Sequence, residues 1–140
     1  MVIVGIIAFA TAIAVPNYLR WNTTAQLKQA TTELQGELSL ARLSAMNRNR
    51  SVTVTLAIVN NRVTATFIDG SGVQMMPPHT MLALVTGFTG SPITLSSLGV
   101  RVGGGAGNQL ITLTNSQALT YSIVVTPAGK STWCARATCP

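Results

Sequence analysis

Residues 1–50 read MVIVGIIAFATAIAVPNYLRWNTTAQLKQATTELQGELSLARLSAMNRNR, and the change of pattern inside this stretch decides the architecture. In positions 1–15 only Gly5 and Thr11 fall outside the apolar set, and the first charge is Arg20, so 19 residues pass uncharged. As a helix they span roughly 28 Å, close to the hydrocarbon thickness of a bilayer. A secretory signal cut after Ala12-Ile13-Ala14 is one reading of such a run, but signals carry a basic region ahead of the apolar one, and no basic residue stands there. A transmembrane anchor that stays in the lipid is the other reading. Pro16 predicts a kink or a local loss of hydrogen bonding in a pattern that otherwise continues as helix.

Beyond Pro16 the pattern becomes one-sided. Leu27, Ala30, Leu34, Leu38, Ala41 and Ala45 recur at spacings of 3, 4, 4, 3 and 4, the stripe of an amphipathic helix. Gln26, Lys28, Gln29, Glu33 and Glu37 fall on the opposite side, and Gly36 weakens the helix only slightly. The first third of the chain therefore predicts one helix of roughly 70 Å if it runs unbroken to Arg48. Its first half needs a membrane or a bundle of like helices to cover it; its second half needs only one partner face.

After Asn49 the period changes from helical to twofold. Val52, Val54 and Leu56 alternate with Ser51, Thr53 and Thr55; Asn60-Asn61 supplies a turn that tolerates positive φ; and Val63, Ala65 and Phe67 resume the alternation. Asp69-Gly70-Ser71-Gly72 closes this hairpin, and Pro77-Pro78 breaks the chain again. Short strands are expected at 81–85 and 93–95, a flexible loop over the glycines of 99–107, clear strands at 110–114 and 119–126, and an edge strand at 131–134 after the Pro127-Ala128-Gly129 turn. The fold class expected is α+β: a long N-terminal helix packed on an antiparallel β-sheet of five to seven strands.

The composition fits that outline. The chain has 140 residues, 47% hydrophobic and only 9% charged, with a mean hydropathy of +0.41. Disorder is excluded by the hydrophobicity, and one domain is the natural count. Nine Lys+Arg against three Asp+Glu give +6 and make anionic partners worth considering. With three acids and one His there is little material for acid–base catalysis, so an enzyme is not expected.

These residues resemble the type IV pilin-like proteins. GIIAFATAIAVPNYLRW, with Pro16-Asn17-Tyr18 closing the apolar run, is similar to the N-terminal helix shared by pilins and type II secretion pseudopilins. Residues 41–52, the strand ITLTN, the strand YSIVV and the turn Pro127-Ala128-Gly129-Lys130 are similar to the GspH/FimT branch. The resemblance implies a pilin-like fold and a structural subunit of a type IV pilus or type II secretion pseudopilus. It implies a filament-core and membrane half at residues 1–20 and a globular domain at 21–140, made of a helix half at 21–48, a β-sheet at 51–134 and a Cys loop at 134–139. Ile3, Ile6, Ile7, Phe9, Ile13 and Pro16 would form the filament-packing surface. The partners implied are copies of the chain and other pilins, with the inner membrane as the site before assembly and an extracellular pilus or periplasmic pseudopilus after it. Aligned on Pro16, the glutamate with which the family matches a neighbour's N-terminus would lie two residues before Met1, so either residues upstream of Met1 are missing, which is the expectation, or the assembly is unusual. Ser44 also departs from the acid found in many relatives.

The remaining chemistry-bearing residues are few. Cys134 and Cys139 suit a disulfide closing a small loop in an exported protein, and free thiols in a reducing compartment. A metal site would need more ligands than these two and His79 provide, and no cofactor or small-molecule substrate is expected. Gly129-Lys130-Ser131 echoes the end of a P-loop, but the glycine required five positions earlier is Val124. Glu33 and Glu37, one turn apart, read as solvated, and His79 after two prolines reads as a loop residue. Arg48 and Arg50 read as complements to the helix dipole. Lys130, Arg136, Arg101 and the aromatic Trp133 are candidate DNA contacts, since cations grip phosphates and an aromatic stacks a base. FimT-type proteins bind DNA through a Gly-Arg-x-Arg element; here that stretch is Gly129-Lys130-Ser131-Thr132, which keeps the glycine and one basic position. DNA uptake and a membrane-anchored or exported binding domain are the alternatives to the structural subunit.

Overall fold

A computed structural model describes the backbone of residues 2–139 and the side chains of Tyr18 and of residues 20–139. One helix, α1 (Val2–Asn47), is followed by nine strands. These are β1 (Val52–Val59), β2 (Arg62–Asp69), β3 (Gln74–Thr80), β4 (Val85–Thr89), β5 (Ile93–Leu95), β6 (Arg101–Val102), β7 (Gln109–Asn115), β8 (Thr120–Val125) and β9 (Ser131–Cys134). The helical backbone continues through Pro16. The six filament-packing candidates, Ile3, Ile6, Ile7, Phe9, Ile13 and Pro16, lie outside the residues whose side chains are described, as does most of the proposed membrane segment. Among the described residues no helix is long and apolar enough to cross a membrane.

The second half of α1 behaves as its spacing predicts. Leu27, Ala30, Leu34, Leu38, Ala41 and Ala45 are all buried, none more than 3% exposed. They meet Val52, Val54, Phe67, Ile93, Leu95, Ile111, Leu113 and Ile123 in one core between the helix and the strands. Removing each leucine side chain from water is worth roughly 1.5–3 kcal/mol, so the stripe alone anchors the helix firmly.

The strands differ from the expected single sheet. They divide into a five-stranded sheet ordered β3-β2-β1-β5-β6 and a four-stranded sheet ordered β4-β7-β8-β9, and every pairing is antiparallel. The β1–β2 hairpin turns at Asn60 and Asn61, with φ of 49° and 61°. Both residues are then left-handed, the geometry that suits the twist of paired strands.

Pro77-Pro78 does not break the chain. Both prolines lie inside β3, and the strand expected at 81–85 instead gives way to a turn before β4. β3 is at the margin of its sheet, where a missing N–H costs no ladder bond. Its register with β2 also shifts between Ala65 and Phe67, giving the prolines room in a bulge.

Candidate functional site

Three places on the domain gather chemistry-bearing side chains, and Arg101 and Asp69 are held apart from them. The first joins α1 to both sheets. The Ser96–Gly99 turn and the Thr126–Gly129 turn are closed by backbone bonds, Gly99 N–H to Ser96 O at 2.8 Å and Gly129 N–H to Thr126 O at 2.9 Å. They touch each other so closely that a Cβ on Gly129 would collide with the Gly99 carbonyl oxygen. Arg42 of α1 donates from Nε to that same carbonyl at 2.9 Å, and Gln35 donates to Ser131 O at 3.0 Å. The result is a groove of about 270 Å3 lined by Ser39, Arg42, Leu43, Met46, Gly129, Lys130 and Ser131.

The second place is the C-terminal segment. The Cys134–Cys139 disulfide is formed, with Cα atoms 5.8 Å apart. Ser122 of β8 secures the loop through its hydroxyl, which donates to Ala137 O at 3.0 Å. A tail that would otherwise fray is held against β8. Trp133 is half-buried; its ring stacks on Tyr121 with centroids 5.8 Å apart, and Lys28 Nζ lies 5.5 Å from its centroid. Such contacts satisfy the ring within the domain. Lys130 and Arg136 are exposed.

Arg101 is placed differently from a DNA contact. It is buried, and its guanidinium donates to Gly103 O at 2.6 Å, to Gly105 O at 3.0 Å, and to Gly107 O. Its backbone N–H donates to Pro127 O at 2.9 Å. With every one of these donors turned inward, Arg101 does not join Lys130 and Arg136 on the surface. The glycine segment is likewise not a free loop: it begins with β6 and then wraps the guanidinium, taking positive φ at Gly103, Gly104 and Gly105. Carbonyls curl around a cation in a way that only residues without a Cβ follow cheaply.

The third place is an acidic one. Glu33 and Glu37 flank His79 of β3, with Glu33 Oε2 3.5 Å from Nε2 and Glu37 Oε1 3.7 Å from Nδ1. His79 is therefore a strand residue facing the helix rather than a loop residue, and the two glutamates stand near its ring while keeping part of their surface in solvent. Each carboxylate addresses a different ring nitrogen, so the three do not converge on one point. Among the described residues no cluster of His, Cys, Asp or Glu is placed to hold a metal ion.

The last carboxylate, Asp69, is also engaged. It is buried at the end of β2, accepts N–H bonds from Ser71 and Val73 at 2.8 Å each, and pairs with Arg50 Nη1 at 2.9 Å. The Val73 N–H above all holds its carboxyl below the ordinary range; burial, the next strongest influence, pushes the other way and is outweighed with the help of Arg50 and the Ser71 N–H. Arg50 is thus a partner to Asp69, and Arg48 reaches Met75 Sδ at 3.5 Å, so neither serves simply to complement the helix end. Nothing in the sequence pairs residues this far apart; the Asp-Gly-Ser-Gly turn was the only local sign that Asp69 would bond its own backbone.

A single N-terminal helix laid through its second half across antiparallel strands defines a pilin fold, and the expectation drawn from residues 5–21 and 41–52 holds at that level. Solved structures with this arrangement include the type IV minor pilin FimU of Pseudomonas aeruginosa in space group P21, at 17% identity and a TM-score of 0.62 over 83% of this chain and 93% of that one. FimU in space group P65 matches at 16% identity and a TM-score of 0.59, over 81% of this chain and 96% of that one. The minor pseudopilin EpsH from the Type 2 Secretion System of Vibrio cholerae matches at 12% identity and a TM-score of 0.57, over 81% and 99%. No protein-family model matches the chain, and no curated protein matches it.

Proposed function

We propose that this chain is a structural subunit of a type IV pilus or a type II secretion pseudopilus that assembles through its N-terminal helix. One observation carries the reading: α1 runs as a single helix from Val2 to Asn47, while the first core residue among the described ones is Leu27. An uncharged stretch of 19 residues thus continues directly into a segment docked on the sheets. Burial of that stretch, first in the inner membrane and then against other subunits, would drive assembly at about 25 cal/mol per Å2 of apolar surface. The solved structures with this fold, a minor pilin and a minor pseudopilin by name, support the same assignment. Ile3, Ile6, Ile7, Phe9, Ile13 and Pro16 are the proposed packing residues.

The test is incorporation. Ile7→Asp places a charge in the apolar stretch and should abolish recovery of the subunit in sheared filaments while leaving its cellular level unchanged. Filament recovery equal to that of the unaltered chain would overturn the reading.

A second reading, DNA capture by the exposed domain, is supported by the exposure of Lys130 and Arg136. Arg101 and Trp133 contribute less to it, because both are occupied within the domain. It requires binding to duplex DNA that falls steeply between low and moderate salt and is lost in the Lys130→Ala/Arg136→Ala double variant. Salt-independent binding, or binding that survives the double variant, would dismiss it.

A further inference from the structure

The carboxylate side chains of this protein are few, and none lines the groove between α1 and the 126–131 turn. There are three: Asp69 is buried and paired with Arg50 and two backbone N–H groups, while Glu33 and Glu37 are half-buried on the side of α1 near His79. The cations are three times as many. Arg20, Lys28, Arg48, Arg62, Lys130 and Arg136 are exposed, and only Asp69 draws an arginine into an ion pair among the described residues. The outward face of the domain is therefore cationic, with almost no side-chain anion to offer a second copy of itself.

Around the groove between α1 and the 126–131 turn, this cationic character coincides with exposed apolar surface. Leu43, which lines the groove, is 51% exposed, and Leu98, beside Gly99, is 76% exposed. Met46 belongs to the same surface: a Cβ on Gly99 would lie 2.8 Å from its sulfur, so the Leu98–Gly99 turn abuts the helix there. Arg42 and Lys130 border the groove, and its hydroxyls come from Ser39 and Ser131. Large side chains left in water beside a shaped depression mark an interaction surface.

From this we infer that the groove docks a different protein subunit, one that presents apolar side chains flanked by Asp or Glu. Two observations choose that occupant. The leucines and Met46 need an apolar counterpart, which a phosphate backbone does not supply. Arg42 and Lys130 are complemented by carboxylates, in which a second copy of this chain, with three acids against nine cations, is poor, so like charges would meet instead. The inference rests on the described domain and its charge distribution, and does not depend on the filament reading.

The experiment places a photo-crosslinking amino acid at position 43 of the full chain in cells of its source. Irradiated membranes are then purified through the chain, and the crosslinked peptide is sequenced by mass spectrometry. The expected adduct is a peptide of another protein with Asp or Glu beside its apolar residues. Its yield should fall about fivefold in the Lys130→Glu background, the upper end for an exposed ion pair, and recover with Lys130→Arg. Lys130 is exposed, and a thermal unfolding midpoint equal to that of the unaltered chain checks that folding is intact. A peptide of this chain itself, a nucleotide adduct, a partner peptide without acids, or a yield no higher than from exposed Arg62 would each overturn the inference. The Ile7→Asp result bears on filament incorporation alone, so failure of one reading is distinguishable from failure of the other.

Discussion

Replacing Gly129 by alanine should separate the two turns that lock the sheets to the helix. Gly129 has φ of +75°, and its Cα faces the Gly99 carbonyl so closely that a methyl group cannot be placed without moving backbone. Two contributions follow. A left-handed conformation costs an L-residue about 1–2 kcal/mol, partly offset by the stiffer unfolded chain. Moving the turn apart also endangers the bond from Arg42 to Gly99 O and the bond from Arg101 N–H to Pro127 O, both 2.9 Å long. At about 1 kcal/mol each, they bring the loss to about 3 kcal/mol. Gly72 supplies the control: its φ is +81° and open space surrounds it, so Gly72→Ala should cost only the conformational part, about 1 kcal/mol. Urea unfolding of both variants followed by circular dichroism, on the full chain in detergent, measures the difference. A Gly129→Ala loss no larger than that of Gly72→Ala would refute the contact between the turns as a stabilising junction.

Two other perturbations are sharply defined. Because the folded carboxyl of Asp69 lies below its ordinary value near 3.8, its stabilisation is complete above that pH and fades as pH falls through it toward the folded value. Urea midpoints measured from pH 7 to pH 3 should show this decline, and Asp69→Asn should lower the neutral-pH midpoint and flatten the acid limb; an unchanged limb would remove Asp69 as its source. Breaking the Cys134–Cys139 bridge, which closes a sequence separation of 5, should cost about 2 kcal/mol. Reductant should lower the unfolding midpoint of the parent chain and leave that of a Cys134→Ser/Cys139→Ser variant untouched.

The parts of the fold that sequence foretold are those set by local repetition. All six stripe residues from Leu27 to Ala45 are buried, because one helix face had one place to go. The β1–β2 hairpin follows from alternation on both sides of two asparagines that accept positive φ. What escaped is what distance in sequence hides. Pro77-Pro78 read as a break because sheet position, here the margin, decides whether proline is tolerated. The division into two sheets depends on which strands cross the helix, and alternation carries no record of that. The glycines after Arg101 read as freedom, yet their carbonyls answer to a buried cation whose burial no spacing announces. For the same reason His79 read as a loop residue: its two carboxylates lie on α1, more than forty positions away.

One continuous helix also sets how the protein bears load. A pull applied near Val2 travels along the axis of α1 and reaches the domain at a row of buried side chains from Leu27 to Ala45. Those contacts lie along the direction of the force and are sheared together, whereas a hinge would let them peel one at a time. Resistance is then shared by the whole row, and a pair of glycines inserted after Trp21 should lower the rupture force measured in a pulling experiment by admitting a bend there. The protein is coupled to its own first residues through continuous helical backbone, as a rotor is to its shaft.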